Sequence, residues 1–273
     1  MNRLTQQQVD AFHEQGYLTG IDVFTPHEVA DLNNGLDELC KLLRPGESTK
    51  EIREWHESSR WLYDICMDPR LLDIVEDLLG DFFLWASNYF IKEAHSLETV
   101  AWHQDSYYWP LRPTKSLTIW IAHTDSDVAN GAMEVIPGSH TAGILQHGRA
   151  QAGATDSVLL LECESGQFKE DSAVPLILKA GQISVHDDKI VHGSPANPSD
   201  RRRVALTARY SPTDVKCDLA VNPHFRSYPG RGEDRHQHNP VGETPSEKYA
   251  RLERDHQSVE EAGEEAAARL KPQ

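Results

Sequence analysis

The chain has 273 residues, 38% hydrophobic and 26% charged, a composition that fits a folded globular protein and not a disordered one. Lys and Arg number 27 against 43 Asp and Glu, which gives a formal charge of −16. So acidic a chain is repelled by phosphate backbones and anionic lipid, which argues against nucleic-acid or membrane-surface partners.

Thr5 followed by Gln8 forms a capping-box pattern, and Val9, Phe12 and His13 continue a helical stripe that Gly16 ends. Residues 17–24 read as a short extended segment. Thr25-Pro26 opens a second helix with Val29, Leu32, Leu36, Leu39 and Leu43 on one face. A third carries Leu71, Leu72, Ile74, Val75, Leu78 and Leu79 and stops at Gly80. Beyond Gly80 the texture changes. Residues 82–92, 117–123, 132–136, 157–161, 174–178, 182–186 and 204–210 are short β-branched or aromatic runs. Asn130-Gly131, Pro137-Gly138, Ala180-Gly181 and the stretch from Pro195 to Pro198 punctuate them.

Many short strands with frequent turns argue for an antiparallel sandwich or barrel. Helices first and strands afterwards argue for one α+β domain, mainly antiparallel β, with the helices buttressing one face of the sheet. We place this domain at residues 1–240: helices in 4–80, a strand-rich core at about 82–212, and a loop-rich segment at 213–240. Residues 241–273 stand apart as a charged C-terminal helix or tail, with 248–270 the candidate helix. No run reaches the ~20 apolar residues of a membrane span. The opening MNRLTQQQVDAF lacks the apolar core of a secretion signal. Cys40, Cys66, Cys163 and Cys217 are scattered with no CxxC pair. They read as thiols in a reducing compartment, not as a disulfide framework or a zinc site, so the cytoplasm is the expected location.

Chemistry enters with histidine next to acid. Fourteen His and 43 acids give about two His-x-acid pairs by chance. The sequence has three His-x-Asp pairs: His103-Asp105, His123-Asp125 and His186-Asp188. Non-haem Fe(II) that activates O2 needs two imidazoles and a carboxylate on one face, with the opposite face open. On a strand, residues i and i+2 point the same way, so His103-x-Asp105 is expected to supply two ligands from one strand. His192 stands at a barrel-like separation, and Arg203 follows at the start of the next strand, where a buried guanidinium can fork onto a carboxylate. Neither rival pair has such company. His123-Asp125 runs into the turn-like segment 126–131, and His186-Asp188 lies too close to His192 to need a barrel. His186 is expected to line the barrel or to hydrogen-bond within it, not to ligate.

AWHQDSYYWPL around His103 and Asp105, ANGAMEVIPGSH at 129–140, and VHGSPANPSDRRRVALTARY with His192 and Arg203 resemble the phytanoyl-CoA dioxygenase family. LTQQQVDAFHEQGYL and FTPHEVADL near the start are also similar to it, so the resemblance covers roughly residues 4–212. It implies a double-stranded β-helix (a cupin-like jelly roll). It implies an Fe(II)- and 2-oxoglutarate-dependent dioxygenase that uses O2 and releases succinate and CO2. His103, Asp105 and His192 would be its metal ligands and its catalytic residues, Arg203 would pair with the C5 carboxylate of 2-oxoglutarate, and Ser194 would assist. Gln104, Trp120 and Lys92 match positions near the co-substrate. Related iron halogenases have Gly or Ala in place of the carboxylate ligand; this chain keeps Asp105, so hydroxylation is expected.

The substrate is expected to be small and polar or charged, because Tyr, Trp and Arg surround the motifs more than large aliphatic residues do. Arg209, at the same strand parity as Arg203, is a candidate anchor for a substrate carboxylate, phosphonate or phosphate; an exposed arginine near a strand end is the other reading. Tyr107, Tyr108 and Trp109 are either core or rim residues or a substrate wall, with an aromatic face suited to a cationic headgroup. An aminophosphonate or a quaternary-ammonium compound suits both features. A hydroxylase of an acyl-CoA or secondary-metabolite intermediate, and a non-catalytic jelly-roll binding protein, remain the alternatives. His236-Gln237-His238 reads as solvated loop, within a stretch at 224–240 that can fold over the site as a lid.

Overall fold

The computed structural model describes residues 3–149, 159 and 161–253. Helix α1 (Gln6–Gln15) begins at a full capping box: Gln8 N donates to Thr5 Oγ1, and Thr5 N donates to Gln8 Oε1. Gly16, at φ 82°, ends it, and Val9 and Phe12 are buried while His13 faces solvent. β1 (Tyr17–Asp22) follows. Helix α2 (Pro26–Cys40) repeats the device with Thr25 and Glu28, and buries Leu32, Leu36 and Leu39. It stops at Cys40, so Leu43 packs from beyond its end. Helix α3 (Arg60–Cys66) was not anticipated; at seven residues it is too short to show a periodic stripe. Helix α4 (Pro69–Leu79) buries Leu71, Leu72, Ile74, Val75 and Leu78 before Gly80.

β2 (Phe82–Lys92) coincides with its predicted run. β3 (Val100–His103), the short helix α5 (Asp105–Tyr108) and β4 (Leu111–Arg112) come next. β5 (Leu117–Ala122) stops one residue early, and β6 keeps only Glu134–Val135 of its predicted run. β7 (His147–Arg149) pairs with β8 (Leu161–Cys163); most of the expected 157–161 strand lies outside the described residues. β9 shrinks to Val174–Pro175, where the proline has no N–H to give a ladder. β10 (Gln182–Asp187), β11 (His192–Ser194), β12 (Arg203–Pro212), β13 (Lys216–Cys217) and β14 (Tyr228–Arg231) complete the chain of strands.

Two main antiparallel sheets result, in a mixed helix-and-sheet architecture, with two small two-stranded sheets, β13-β4 and β7-β8, beside them. The larger main sheet has the order β1-β10-β5-β12-β2-β14, and the smaller β3-β11-β6-β9. The large sheet is buried on both faces, and its alternation shows how. Leu117, Ile119 and Ile121 on β5, Ile183 and Val185 on β10, and Val204, Leu206, Ala208 and Tyr210 on β12 join the helices in the main core. The intervening Thr118, Trp120, His186, Arg203, Thr207 and Arg209 turn the other way, onto a cavity shared with the small sheet. Apolar burial of the first set, at ~25 cal/mol per Å2, holds the sheet to its helices, while the second set is free to carry polar groups.

Residues 241–253 carry no helix. They lie along α3: Arg60 N and Trp61 N donate to the carbonyls of Glu247 and Lys248, and Tyr249 and Leu252 pack against the main core. The remainder of the expected charged segment, 254–273, is outside the described residues. Among the described residues, no helix is long and apolar enough to cross a membrane. All four cysteines are free thiols.

Candidate metal centre and its cavity

β3 and β11 are antiparallel neighbours, and His103 and His192 face each other across them. Gly193 permits this approach, because a Cβ there would stand 2.8 Å from the carbonyl oxygen of Val100. The expectation that His103 and Asp105 share one strand needs correction. β3 ends at His103, and Asp105 is the first residue of α5. The turn between them still delivers the carboxylate. Asp105 Oδ1 lies 3.7 Å from His103 Nε2 and 4.0 Å from His192 Nε2, and one ligand atom from each residue falls within 4.8 Å of the other two.

The donor set is prepared for a metal. His103 Nδ1 donates to the carbonyl of Ala101 at 2.8 Å, and His192 Nδ1 to that of Ile190 at 3.0 Å. Each bond fixes the tautomer that leaves Nε2 as a lone-pair donor toward the shared point. Burial, with His103 beside it, holds the His192 imidazole well below its usual range and therefore neutral, the form that ligates. Burial works to raise Asp105, but the neighbouring His103 and His186 imidazoles and the charge of Arg209 outweigh it and hold the carboxyl well below its usual range, so it is ionised. Its second oxygen, Oδ2, accepts from Thr118 Oγ1 at 3.3 Å and lies 3.7 Å from His186 Nε2. Two imidazoles and one carboxylate, all buried, fit a 2-His-1-carboxylate site for non-haem Fe(II).

The triad lies in a cavity of about 440 Å3 between the two sheets. Arg203 reaches the same cavity, 3% exposed, with its Nη1 on the carbonyl of Gly131 and its Nε without a partner. Gly131 sits at φ 74°, and a Cβ there would be 2.7 Å from the carbonyl oxygens of Pro195 and Ala196, so only glycine serves the turn. Burial pushes the Arg203 guanidinium down to about 10, and Trp120 lies beneath it at 5.5 Å. An orphaned, buried guanidinium N–H near the triad suits the distal carboxylate of a 2-oxoacid. Ser194 also lines the cavity.

Three expected contacts point elsewhere. The Gln104 side chain donates to the carbonyls of Gly143 and Lys189 and accepts from Leu145 N, so it ties the metal motif to two loops and does not face the cavity. Lys92, opposite Arg203 on the neighbouring strand, donates to the carbonyls of Ser194 and Pro195. Tyr107 is buried away from the cavity and stacks on His147 at 3.8 Å. Tyr108, Trp109 and Arg209 do line the cavity. Of the rival pairs, His123 is buried against Tyr89 away from the cavity, while His186 stands beside Asp105. His236, Gln237 and His238 are exposed, while residues 221–224, the last of them the first residue of the 224–240 stretch, line the cavity.

Arg53, Trp85, Asn88 and Thr118 also line the cavity and were missed. Parity exposes Asn88, since it lies four residues from Lys92 on β2. It does not expose Trp85. The register shifts between Arg209, opposite Ala86, and Tyr210, opposite Leu84, so Trp85 is the extra residue of a bulge.

A family model described as phytanoyl-CoA dioxygenase matches residues 12–205. Over 109 residues the chain is 32% identical to a phytanoyl-CoA dioxygenase domain-containing protein 1 homolog of Dictyostelium discoideum, an alignment spanning 40% of this chain but only 39% of that protein. The apo structure of the non-heme monooxygenase ThoJ matches with a TM-score of 0.73 and 26% identity, over 96% of this chain and 95% of the other. CytC3, whose structure holds Fe(II) and alpha-ketoglutarate, shares the fold at a TM-score of 0.68 and 21% identity, over 93% and 98% of the two chains.

Proposed function

The chain belongs to the phytanoyl-CoA dioxygenase family of iron- and 2-oxoglutarate-dependent oxygenases, and on that premise we propose that it hydroxylates a small polar or charged metabolite, releasing succinate and CO2. The reading rests chiefly on one observation: His103, Asp105 and His192 converge in a buried cavity that also holds the unpaired Nε of Arg203. The two facing antiparallel sheets around that cavity suit a double-stranded β-helix.

In this reading His103, Asp105 and His192 hold the iron, and Thr118 and His186 steady the outer oxygen of Asp105. Arg203 takes the distal carboxylate of 2-oxoglutarate, with Ser194 beside it and Trp120 as a floor. Bound iron and 2-oxoglutarate supply O2 activation and removal of a substrate hydrogen; the chain supplies orientation and exclusion of water. Tyr108, Trp109 and Arg209 form the substrate wall, where aminophosphonates and quaternary-ammonium compounds are the two classes to compare. A compact cavity edged by arginine and tryptophan favours either over a long acyl chain.

Anaerobic titration with Fe(II) and 2-oxoglutarate is expected to give a visible metal-to-ligand charge-transfer band, and air to release succinate in the presence of substrate. Asp105→Ala should abolish succinate release. Arg203→Met should raise the half-saturating 2-oxoglutarate roughly ten- to hundredfold, the worth of one charge-assisted pair. No band and no succinate across a panel of small charged metabolites would overturn the reading.

A further inference from the structure

Hydrogen-bond accounting around the cavity divides its wall. Buried side-chain atoms there without a partner include Arg203 Nε, Arg209 Nε and Trp85 Nε1, and all three are obligate donors. Arg203 is taken up by 2-oxoglutarate. Arg209 and Trp85 are not, and they are neighbours. The Arg209 guanidinium lies 5.0 Å from the Trp109 ring centroid, and Trp109 meets Trp85 edge-on at 4.8 Å. With the Asn88 amide turned so that its oxygen faces Arg209, Nη1 donates to it at 2.8 Å, which orients the fork while Nε stays unpaired. Arg209 is 8% exposed and Trp85 7%, so bulk water does little to satisfy either N–H.

A buried donor left unmatched is unfavourable, more so when charged, so this arrangement is suited to an acceptor supplied from outside. Charge points the same way. Fe(II), the Asp105 carboxylate, dianionic 2-oxoglutarate and the Arg203 and Arg209 guanidiniums together leave one formal positive charge in the loaded site, and the further pair on its wall, Arg53 and Glu54, adds one charge of each sign. A single anionic group on the substrate neutralises the net charge. A quaternary ammonium meets the reverse: the Trp109 face near it already carries the Arg209 cation, and a second cation there is repelled.

The geometry points to Arg209, with Trp85 packed against the same Trp109 ring and Asn88 orienting the fork, as an oxyanion anchor for the substrate. The substrate class is then a small molecule bearing a carboxylate, sulfonate or phosphonate. This rests on the reading of Arg203 as the 2-oxoglutarate anchor.

The test is calorimetric titration of anaerobic protein loaded with Fe(II) and saturating 2-oxoglutarate, using butyrate, ethanesulfonate, ethylphosphonate and tetramethylammonium as separate probes. At least one of the three anions is expected to bind, and which one identifies the oxyanion; tetramethylammonium should give no heat. Arg209→Lys keeps a charge near Asp105 but loses the planar fork, and should weaken anion binding tenfold or more. Trp85→Phe keeps the ring and loses the N–H, and should weaken it severalfold. Anion binding undiminished in both variants, binding of tetramethylammonium alone, or no anion binding to protein that shows the charge-transfer band would each overturn the anchor. Failure of the band itself overturns the iron and 2-oxoglutarate reading first, and the anchor with it.

Discussion

His123 is a buried histidine with neither ring nitrogen hydrogen-bonded, set edge-on against Tyr89 at 5.4 Å. Burial pushes its pKa down to about 3, against an ordinary 6.5. A group whose folded pKa is depressed stays fully compatible with the fold above its unfolded pKa. Its contribution is lost as pH falls, because the unfolded chain takes the proton and the folded one refuses it. The loss therefore runs from about pH 6.5 down toward 3. His123→Leu, close in volume, should raise Tm by several degrees at pH 5 and flatten the acid limb of a Tm-against-pH profile. A profile parallel to that of the wild type would show that other groups govern acid sensitivity. The Arg203 and Asp105 substitutions belong to this same scale, since each tests a single charge at a single atom.

At the scale of elements, the helices are held by their first turns. Thr25 Oγ1 accepts from Glu28 N at 3.3 Å, Thr25 N donates to Glu28 at 2.7 Å, and Glu28 also pairs with Arg70 of α4 at 2.8 Å. Thr25→Ala should cost about 1 kcal/mol, read as a lower denaturant midpoint with an unchanged m-value. This is also the scale at which the sequence was most readable. The Thr5 capping box, Thr25-Pro26, the Gly16 and Gly80 stops and the short β-branched or aromatic runs are local signals, and they placed α1, α2, α4, β2, β10 and β12 closely. The convergence of His103, Asp105 and His192 was legible through the company of His192 and Arg203 together with the family resemblance, since a His-x-Asp pair alone is a pattern that chance supplies. Orientation was not. Gln104, Lys92 and Tyr107 sit beside functional positions, yet their direction depends on where β3 gives way to α5 and on which loop carbonyls come within reach. Trp85 escaped for a similar reason, since a bulge reverses parity without leaving a mark in the sequence.

On the scale of the whole molecule, the C-terminal stretch works as part of the fold. The carbonyls of Glu247 and Lys248 accept the first N–H groups of α3, and Ser58 and Ser59 donate to Ala250 and Lys248. Arg251 pairs with Glu47 through two bonds and lies over Trp55. Ending the chain at residue 246 strips all of this away and uncovers the α3 side of the core. A fall in Tm of ten degrees or more is expected by calorimetry, whereas an unchanged Tm would reduce the segment to an ornament. One strand that the sheet shares with its helices holds a wider consequence. β12 reads as nine buried residues in a row, yet it has two audiences: Val204, Leu206, Ala208 and Tyr210 address the core, and Arg203, Thr207 and Arg209 address the ligands. Because the two sets interleave, what the protein recognises can be rewritten at every second position while the scaffold stays as it is. Drift toward a new substrate then needs no new architecture, only a change of vocabulary on one side of a single strand.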